Sequence, residues 1–211
     1  MNVINIIKPD ALNNEVSLRY YFKNVINIEN IKSIKLYYMD NWTKIASMIY
    51  EYDVMMSSGN CLELRKKLLT SIMGYYHIYP KNNGIVVLFN INDINNDNIT
   101  TSLQKLYQLK KDIRKKYVSN TDLYYLKFLN EDDITFDKPL YDIDLSGLKV
   151  DIKKFPANFL YDDSAYKMIF FNQIHGPSPN SLDEIKHSVK VLNNEDVINE
   201  KRLMKVLKNE V

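Results

Sequence analysis

Short β-branched runs alternate along this chain with longer segments that have helical periodicity. Residues 3–7 and 85–89 are rich in isoleucine and valine and adjoin turn-forming residues, as strands do. Residues 31–39 are predicted to be a strand because their side chains alternate, with Ile34, Leu36 and Tyr38 on one side and Ser33, Lys35 and Tyr37 on the other. Between the first two runs, residues 18–26 place apolar side chains at positions i, i+4, i+7 and i+8, which lie on one face of a helix. Asn14 precedes this segment as a candidate N-cap. Such an order restricts the chain to folds in which helices pack on a β-sheet.

The rest of the chain continues the same alternation. Pro139, Gly147 and a run of acidic residues interrupt any periodic pattern over 130–155, which is predicted to be an irregular insertion. Ser181 and Glu184 have capping-box spacing and predict the start of a helix. The remaining predicted elements are helices at 42–55, 61–77, 99–117 and 195–208, and strands at 123–129 and 165–171.

This order predicts an α/β (α+β) fold, in which helices cover an antiparallel, ferredoxin-like sheet and an insertion precedes the last strand. The alternation alone is also compatible with a parallel sheet. A length of 211 residues suits one domain over 1–211. Within it we expect an inserted segment around 119–160 and a short C-terminal helical extension at 195–211.

Composition narrows the classes of function. A net charge of +2 is too small to make nucleic acid an obligatory partner, although the basic helix at 99–117 keeps nucleic acid as an alternative. Cys61 is the only cysteine, so an intrachain disulfide and a cysteine-based zinc site are both excluded. No apolar run approaches the ~20 residues of a membrane span. These features predict a soluble, cytoplasmic protein of a reducing compartment, with no membrane partner.

Two polar motifs lie near the ends of predicted strands. Lys8-Pro9-Asp10 follows the first strand, and His175-Gly176 follows the last. An imidazole can attack phosphorus as a nucleophile, and a lysine can hold the phosphate that is transferred. If the two motifs meet in space, the chain has the minimum parts of a histidine phosphotransfer site.

Three segments of the chain resemble nucleoside diphosphate kinases, in the same order. Residues 4–11, which read Ile-Asn-Ile-Ile-Lys-Pro-Asp-Ala, are similar to the opening strand of that family. Residues 84–88 are similar to its central strand, and residues 172–176 to its Asn-x-x-His-Gly signature. The resemblance implies a single kinase-like domain with a ferredoxin-like fold. It also implies a ping-pong reaction, in which His175 takes the γ-phosphate of one nucleotide and gives it to a nucleoside diphosphate.

The resemblance also implies roles for individual residues. Lys8 would clamp a phosphate, Asn172 would contact the sugar, and Gly176 belongs to the nucleotide-binding signature. Tyr50 or Tyr52 would supply the aromatic ring that touches the nucleoside, with no basis for choosing between them. Mg²⁺ would arrive with the nucleotide.

A phosphate-binding arginine of the family has no clear counterpart in the helix at 99–117. That helix offers Lys105, Lys110, Lys111 and Arg114 in its place, and Lys105 is taken as the nucleotide-binding candidate. The periodicity of the helix predicts that Leu103, Leu106, Tyr107 and Ile113 face inward and that Lys110, Lys111, Arg114, Lys115 and Lys116 face outward.

Several positions depart from the family pattern. Pro177 replaces the serine after His-Gly, and Lys186 replaces the glutamate that orients the ring. Asp183, three residues before Lys186 and on nearly the same helix face, is the candidate for that orienting role. These departures leave a second hypothesis open. The chain would then be a catalytically inactive pseudoenzyme, acting as a subunit or interaction module for a protein partner, a second copy of itself or a nucleic acid.

Overall fold

The computed structural model describes residues 2–39, 41–59, 61–79, 81–91, 96–118, 123–156, 167–169 and 174–175. In chain order the described elements are β1 (Asn2–Ile7), α1 (Pro9–Leu12), α2 (Glu15–Val25), β2 (Ile31–Met39), α3 (Trp42–Met56), α4 (Cys61–Ile78), β3 (Gly84–Ile91), α5 (Asn96–Val118), β4 (Leu123–Phe128), β5 (Val150–Phe155), β6 (Lys167–Ile169) and β7 (Ile174–His175).

The chain divides into two compact units. The first unit comprises Met1–Trp42, Asn83–Val118 and Asn172–Val211. The second unit comprises Thr43–Asn82 and Ser119–Phe171, so the segment predicted as an insertion falls in the second unit together with most of α3 and α4.

The sheet of the first unit has the strand order β2-β3-β1-β7, and every neighbouring pair is antiparallel. The prediction of an antiparallel α+β fold is therefore confirmed, and the parallel alternative is wrong for these strands. β3 is buried along almost its whole length, as its continuous apolar sequence predicts. β1 lies between β3 and β7, so the residues that follow β1 leave the sheet near its centre.

Helices α2 and α5 share one hydrophobic core with the strands of the first unit. Asn14 caps α2 as predicted, because its side-chain oxygen accepts a hydrogen bond from the Ser17 backbone N–H at 3.1 Å. The apolar stripe of each helix then faces the sheet. The core includes Val3, Ile7, Ala11, Leu18, Tyr21, Val25, Ile85, Val87, Phe89, Ile91, Leu103, Leu106, Leu109 and Ile113.

Gly84, the first residue of β3, lies directly against the indole ring of Trp42. A Cβ atom at position 84 would overlap that ring. Trp42 is itself 1% exposed and packed on every side, so it has little room to move. Glycine is therefore required here for close approach rather than for an unusual backbone angle.

The second unit contains its own antiparallel sheet, in the order β5-β4-β6. The irregular stretch predicted at 130–155 does contain three 3₁₀ turns, at Glu131–Asp133, Leu140–Asp142 and Leu145–Gly147. The prediction is wrong at its end, because β5 forms a regular ladder with β4. This strand has no apolar alternation, since Lys153 and Lys154 are both exposed on it.

The strand predicted at 165–171 occupies an unexpected place. Its described part, β6, pairs with β4 in the second unit and does not lead directly into the histidine. His175 lies instead in the separate strand β7, which pairs with β1. A strand of two residues is too short to produce a period-2 pattern, so the sequence could not distinguish it from a loop.

One ion pair joins three segments of the second unit. Glu51 on α3, 3% exposed, contacts Arg65 on α4 at 2.6 Å and accepts a hydrogen bond from the Leu140 backbone N–H at 2.8 Å. Arg65 also donates to the Phe136 carbonyl oxygen at 3.2 Å. The hydrogen bond with Glu51 raises the pKa of Arg65. Two helices and the segment at 136–140 are thereby held together.

The helices predicted from Ser181 onward, including the C-terminal extension at 195–211, lie outside the described residues. Among the helices that are described, none combines the length and the apolar character needed to cross a bilayer.

Candidate functional site

Lys8 occupies the junction between β1 and the short helix α1. Its backbone is extended and serves as the N-cap of α1, and Pro9 follows at the first helical position, where a missing N–H costs nothing. The Lys8 side chain is 3% exposed. Its ammonium lies 5.7 Å from the centroid of the Trp42 ring, within the range of a cation–π contact.

The electrostatic environment of Lys8 contains three more charged groups. Burial lowers the pKa of Lys8 to about 8. The Asp10 carboxylate opposes this shift, whereas Arg114 and Lys110 add to it because each is a like charge close to the ammonium. Asp10, Lys110 and Arg114 therefore each lie near enough to Lys8, at the end of β1, to act on its charge.

Lys110 reaches this cluster because it lies on the buried side of α5. It follows Leu106 by one helical turn, precedes Ile113, and is 7% exposed. The prediction that Lys110 faces outward is wrong, since the i+4 spacing from Leu106 places it on the apolar stripe. Its ammonium also lies 4.4 Å from the Tyr107 ring centroid, a second contact that offsets part of the cost of burial.

Arg114 lies one turn after Lys110 and is half-buried. Predicted to face outward, it instead lies close enough to Lys8 to influence its pKa. From the sequence alone, neither Lys110 nor Arg114 could be matched to the phosphate-binding arginine of the kinase family. A spacing of four residues could have indicated both, because Lys110 follows the buried Leu106 by one helical turn and Arg114 follows the buried Lys110 by another.

His175 approaches the same end of β1 through strand pairing. In the ladder between β1 and β7, Ile6 is opposite His175 and Ile7 is opposite Ile174. Paired strands lie about 5 Å apart and rise ~3.4 Å per residue, so the Cα atoms of His175 and Lys8 are roughly 8 Å apart. Lys8 and His175 are far apart in the sequence, but the pairing of β1 with β7 brings their backbones close together in space. The chemical role of His175 stays a prediction.

The structure describes three of the six other predicted site residues, Lys105, Tyr50 and Tyr52. Lys105 is exposed on α5 and lies about 180° around the helix axis from Arg114, at ~100° per residue, so it does not join the cations around Lys8. Tyr50 and Tyr52 both lie on α3 in the second unit, where Tyr50 is buried and Tyr52 is half-buried. Asn172, Gly176 and Asp183 lie outside the described residues.

The converging charges are suited to an oxyanion. Lys110 and Arg114 each act on Lys8 as like charges, which Asp10 offsets in part, and a bound phosphate group would relieve the remaining repulsion. A guanidinium can also bind phosphate through two parallel hydrogen bonds. Over the part of the chain that the structure describes, no group of three or more His, Cys, Asp or Glu residues is placed to hold a metal ion.

Comparison of the chain with protein-family models, with curated proteins and with solved structures found no match. The resemblance to nucleoside diphosphate kinases therefore stays a prediction from residues 4–11, 84–88 and 172–176.

Proposed function

We propose that the first unit transfers phosphoryl groups between nucleotides through a phosphohistidine at His175, as the resemblance to nucleoside diphosphate kinases implies. Its sheet would be a ferredoxin-like sheet in which α2 and α5 cover one face. The strand order β2-β3-β1-β7, with antiparallel neighbours throughout, supports that arrangement.

The observation that carries this proposal is the pairing of β1 with β7. It brings the backbone of His175 opposite Ile6, two residues before Lys8. Lys8 is in turn the centre of the cluster formed with Lys110 and Arg114. This pairing supports a site in which a nucleophile candidate and cations that would hold a phosphate come from remote parts of the chain to one end of one strand.

The proposed reaction has two symmetric halves. An imidazole nitrogen of His175 attacks the γ-phosphorus of a nucleoside triphosphate, and the bond to the bridging oxygen breaks with its electron pair leaving on the diphosphate. The second ring nitrogen loses its proton to solvent as the N–P bond forms. A second nucleoside diphosphate then attacks the same phosphorus through a terminal oxygen, and the imidazole recovers its electron pair and proton.

The cations would act on the charge that the transferring group spreads over its oxygens. Lys8, Lys110 and Arg114 would stabilise that charge, and Mg²⁺ would enter as part of the nucleotide substrate, bound to its phosphates. Burial of Lys8 strengthens its interaction with a phosphate, because little water lies between them to screen the charges.

Incubation with γ-labelled ATP and Mg²⁺ tests this function. We expect the wild-type protein to acquire an acid-labile, base-stable label that a nucleoside diphosphate removes, and we expect His175→Ala to acquire none. His77→Ala is the matched control, since His77 is exposed on α4 in the second unit, and it should be labelled like the wild type.

Two results would contradict the proposal. A label that survives in folded His175→Ala would mean that another residue accepts the phosphate. Absence of label on folded wild-type protein would favour the inactive interaction module instead.

A further inference from the structure

Charge is distributed very unevenly along this chain. Within residues 102–116 of α5 there are six cations and one anion, Asp112, which gives a net charge of +5. The whole chain carries +2, so the residues outside this segment together carry −3. The single anion is also engaged, because Gln108 donates a hydrogen bond to Asp112 at 2.7 Å.

Four of these cations form one exposed surface, which we call the basic stripe: Lys105, Lys111, Lys115 and Lys116. At ~100° per residue the four lie within an arc of about 140° on the side of α5 opposite its apolar stripe. From Lys105 to Lys116 the stripe extends roughly 16 Å along the helix axis. It is separate from the buried Lys110, which faces Lys8.

Aromatic rings lie beneath the basic stripe at two points. The Lys111 ammonium is 4.4 Å from the Tyr107 ring centroid, and the Lys116 ammonium is 4.9 Å from the ring of Tyr20 on α2. Cation–π contacts of this kind restrict the lysine side chains, so less conformational entropy is lost when they bind an anion.

An open depression lies beside the stripe. It is lined by Gln104, Lys105, Tyr107 and Gln108 and has a volume of about 410 Å³. Tyr107 is half-buried and its ring is shared with the Lys110 and Lys111 ammoniums, each 4.4 Å from the centroid, so a base would stack on the part of the ring that borders the depression. The two glutamine amides can each donate and accept hydrogen bonds at the edge of a base.

We propose that this face of α5 binds single-stranded nucleic acid, with backbone phosphates on the basic stripe and a base in the depression at Tyr107. A row of cations beside an aromatic and amide-lined depression is the combination by which proteins bind single strands without reading sequence. An acidic protein could bind the cations of the basic stripe, but it has no base to place in the depression. A duplex keeps its bases stacked inside, where Tyr107 cannot reach them.

Fluorescence anisotropy with a labelled single-stranded oligonucleotide tests the proposal on the full chain. We expect Lys111→Glu/Lys115→Glu to bind at least about tenfold more weakly, and the slope of log K against log salt to become shallower by ~1.4, since each lost phosphate contact removes about 0.7. Tyr107→Leu should weaken binding of the single strand by ~5- to 100-fold, the range expected for loss of one stacked base.

The matched control is Lys138→Glu/Lys149→Glu, which makes the same change in net charge at two exposed lysines of the second unit. We expect it to bind like the wild type. Circular dichroism of each variant establishes that its fold is retained.

Three outcomes would overturn the proposal. The first is that the wild-type protein does not bind the oligonucleotide at about 0.1 M salt. The second is that Lys138→Glu/Lys149→Glu weakens binding as much as Lys111→Glu/Lys115→Glu does. The third is that polyglutamate or a matched duplex displaces the labelled oligonucleotide as well as the unlabelled single strand does, which would indicate a surface that binds any polyanion.

Discussion

Replacement of Lys8 by methionine is expected to abolish labelling by γ-labelled ATP while making the protein more stable at neutral pH. The first effect follows because the methionine removes the central cation of the cluster that would hold the phosphate. Loss of one preorganised group that stabilises transition-state charge typically costs about 10²- to 10³-fold in rate. The second effect follows from the burial of a charged ammonium.

The sign of the stability change is set by the pKa. Burial lowers the pKa of Lys8 from 10.5 in the unfolded chain to about 8. Between these two values the unfolded chain binds more protons, so the free energy of unfolding rises as the pH increases from about 8 toward 10.5. At ~1.4 kcal/mol per pKa unit, the charged Lys8 costs the folded protein on the order of 3 kcal/mol at neutral pH.

Thermal unfolding of wild type and Lys8→Met across this pH range measures the effect. We expect the variant to have the higher Tm at pH 7 and to lack the rise in stability that the wild type shows above pH 8. Lys111→Met, which makes the same chemical change at an exposed lysine, is the matched control and should not reproduce the gain in Tm at pH 7. A Lys8→Met protein that is less stable at pH 7, or that is still labelled at the wild-type rate, would contradict the role assigned to Lys8.

Replacement of Glu51 by alanine is expected to lower the free energy of unfolding by about 3–5 kcal/mol, the usual cost of removing one partner of a buried ion pair. The change leaves the Arg65 guanidinium, 19% exposed, without its carboxylate, and it leaves the Leu140 backbone N–H without its acceptor. Three segments of the second unit lose their common contact at once.

Urea denaturation compares this variant with Glu15→Ala. Glu15 pairs with Arg19 at 2.5 Å, but both side chains are about half exposed, so the pair is screened by water and should contribute less than ~1 kcal/mol. We also expect the double change Glu51→Leu/Arg65→Met to be less destabilising than Glu51→Ala, because it removes both buried charges together. Equal losses for Glu51→Ala and Glu15→Ala would show that the buried pair does not hold the second unit together.

Elements with a strong local signal were predictable from the sequence. The β-branched runs and the capping residue Asn14 place β1, α2 and β3 within one or two residues of their observed bounds. Each of these elements buries a face that its own periodicity defines, so no knowledge of distant residues is needed.

The sequence-based predictions failed where contacts between residues distant in the sequence decide the structure. β5 forms because β4 offers a partner, and its lysine-rich sequence has no strand pattern of its own. β7 forms by pairing with β1. The prediction that Lys110 faces outward, as charged residues usually do, is wrong because its spacing from Leu106 and Ile113 places it on the apolar stripe, where it is 7% exposed. Lys110 is buried beside Tyr107 and close to Lys8, which lies in a distant part of the sequence.

The central claim is that Lys8 and His175 face one anion site, and NMR of the histidine rings during a pyrophosphate titration tests it most directly. The chain has three histidines, and the His175→Ala variant assigns the signal of His175. We predict that pyrophosphate shifts the His175 ring signals in the wild type, leaves His77 unchanged, and shifts none of them in Lys8→Met. The claim is contradicted if the His175 signals do not respond to pyrophosphate, or if they respond equally when Lys8 has been replaced.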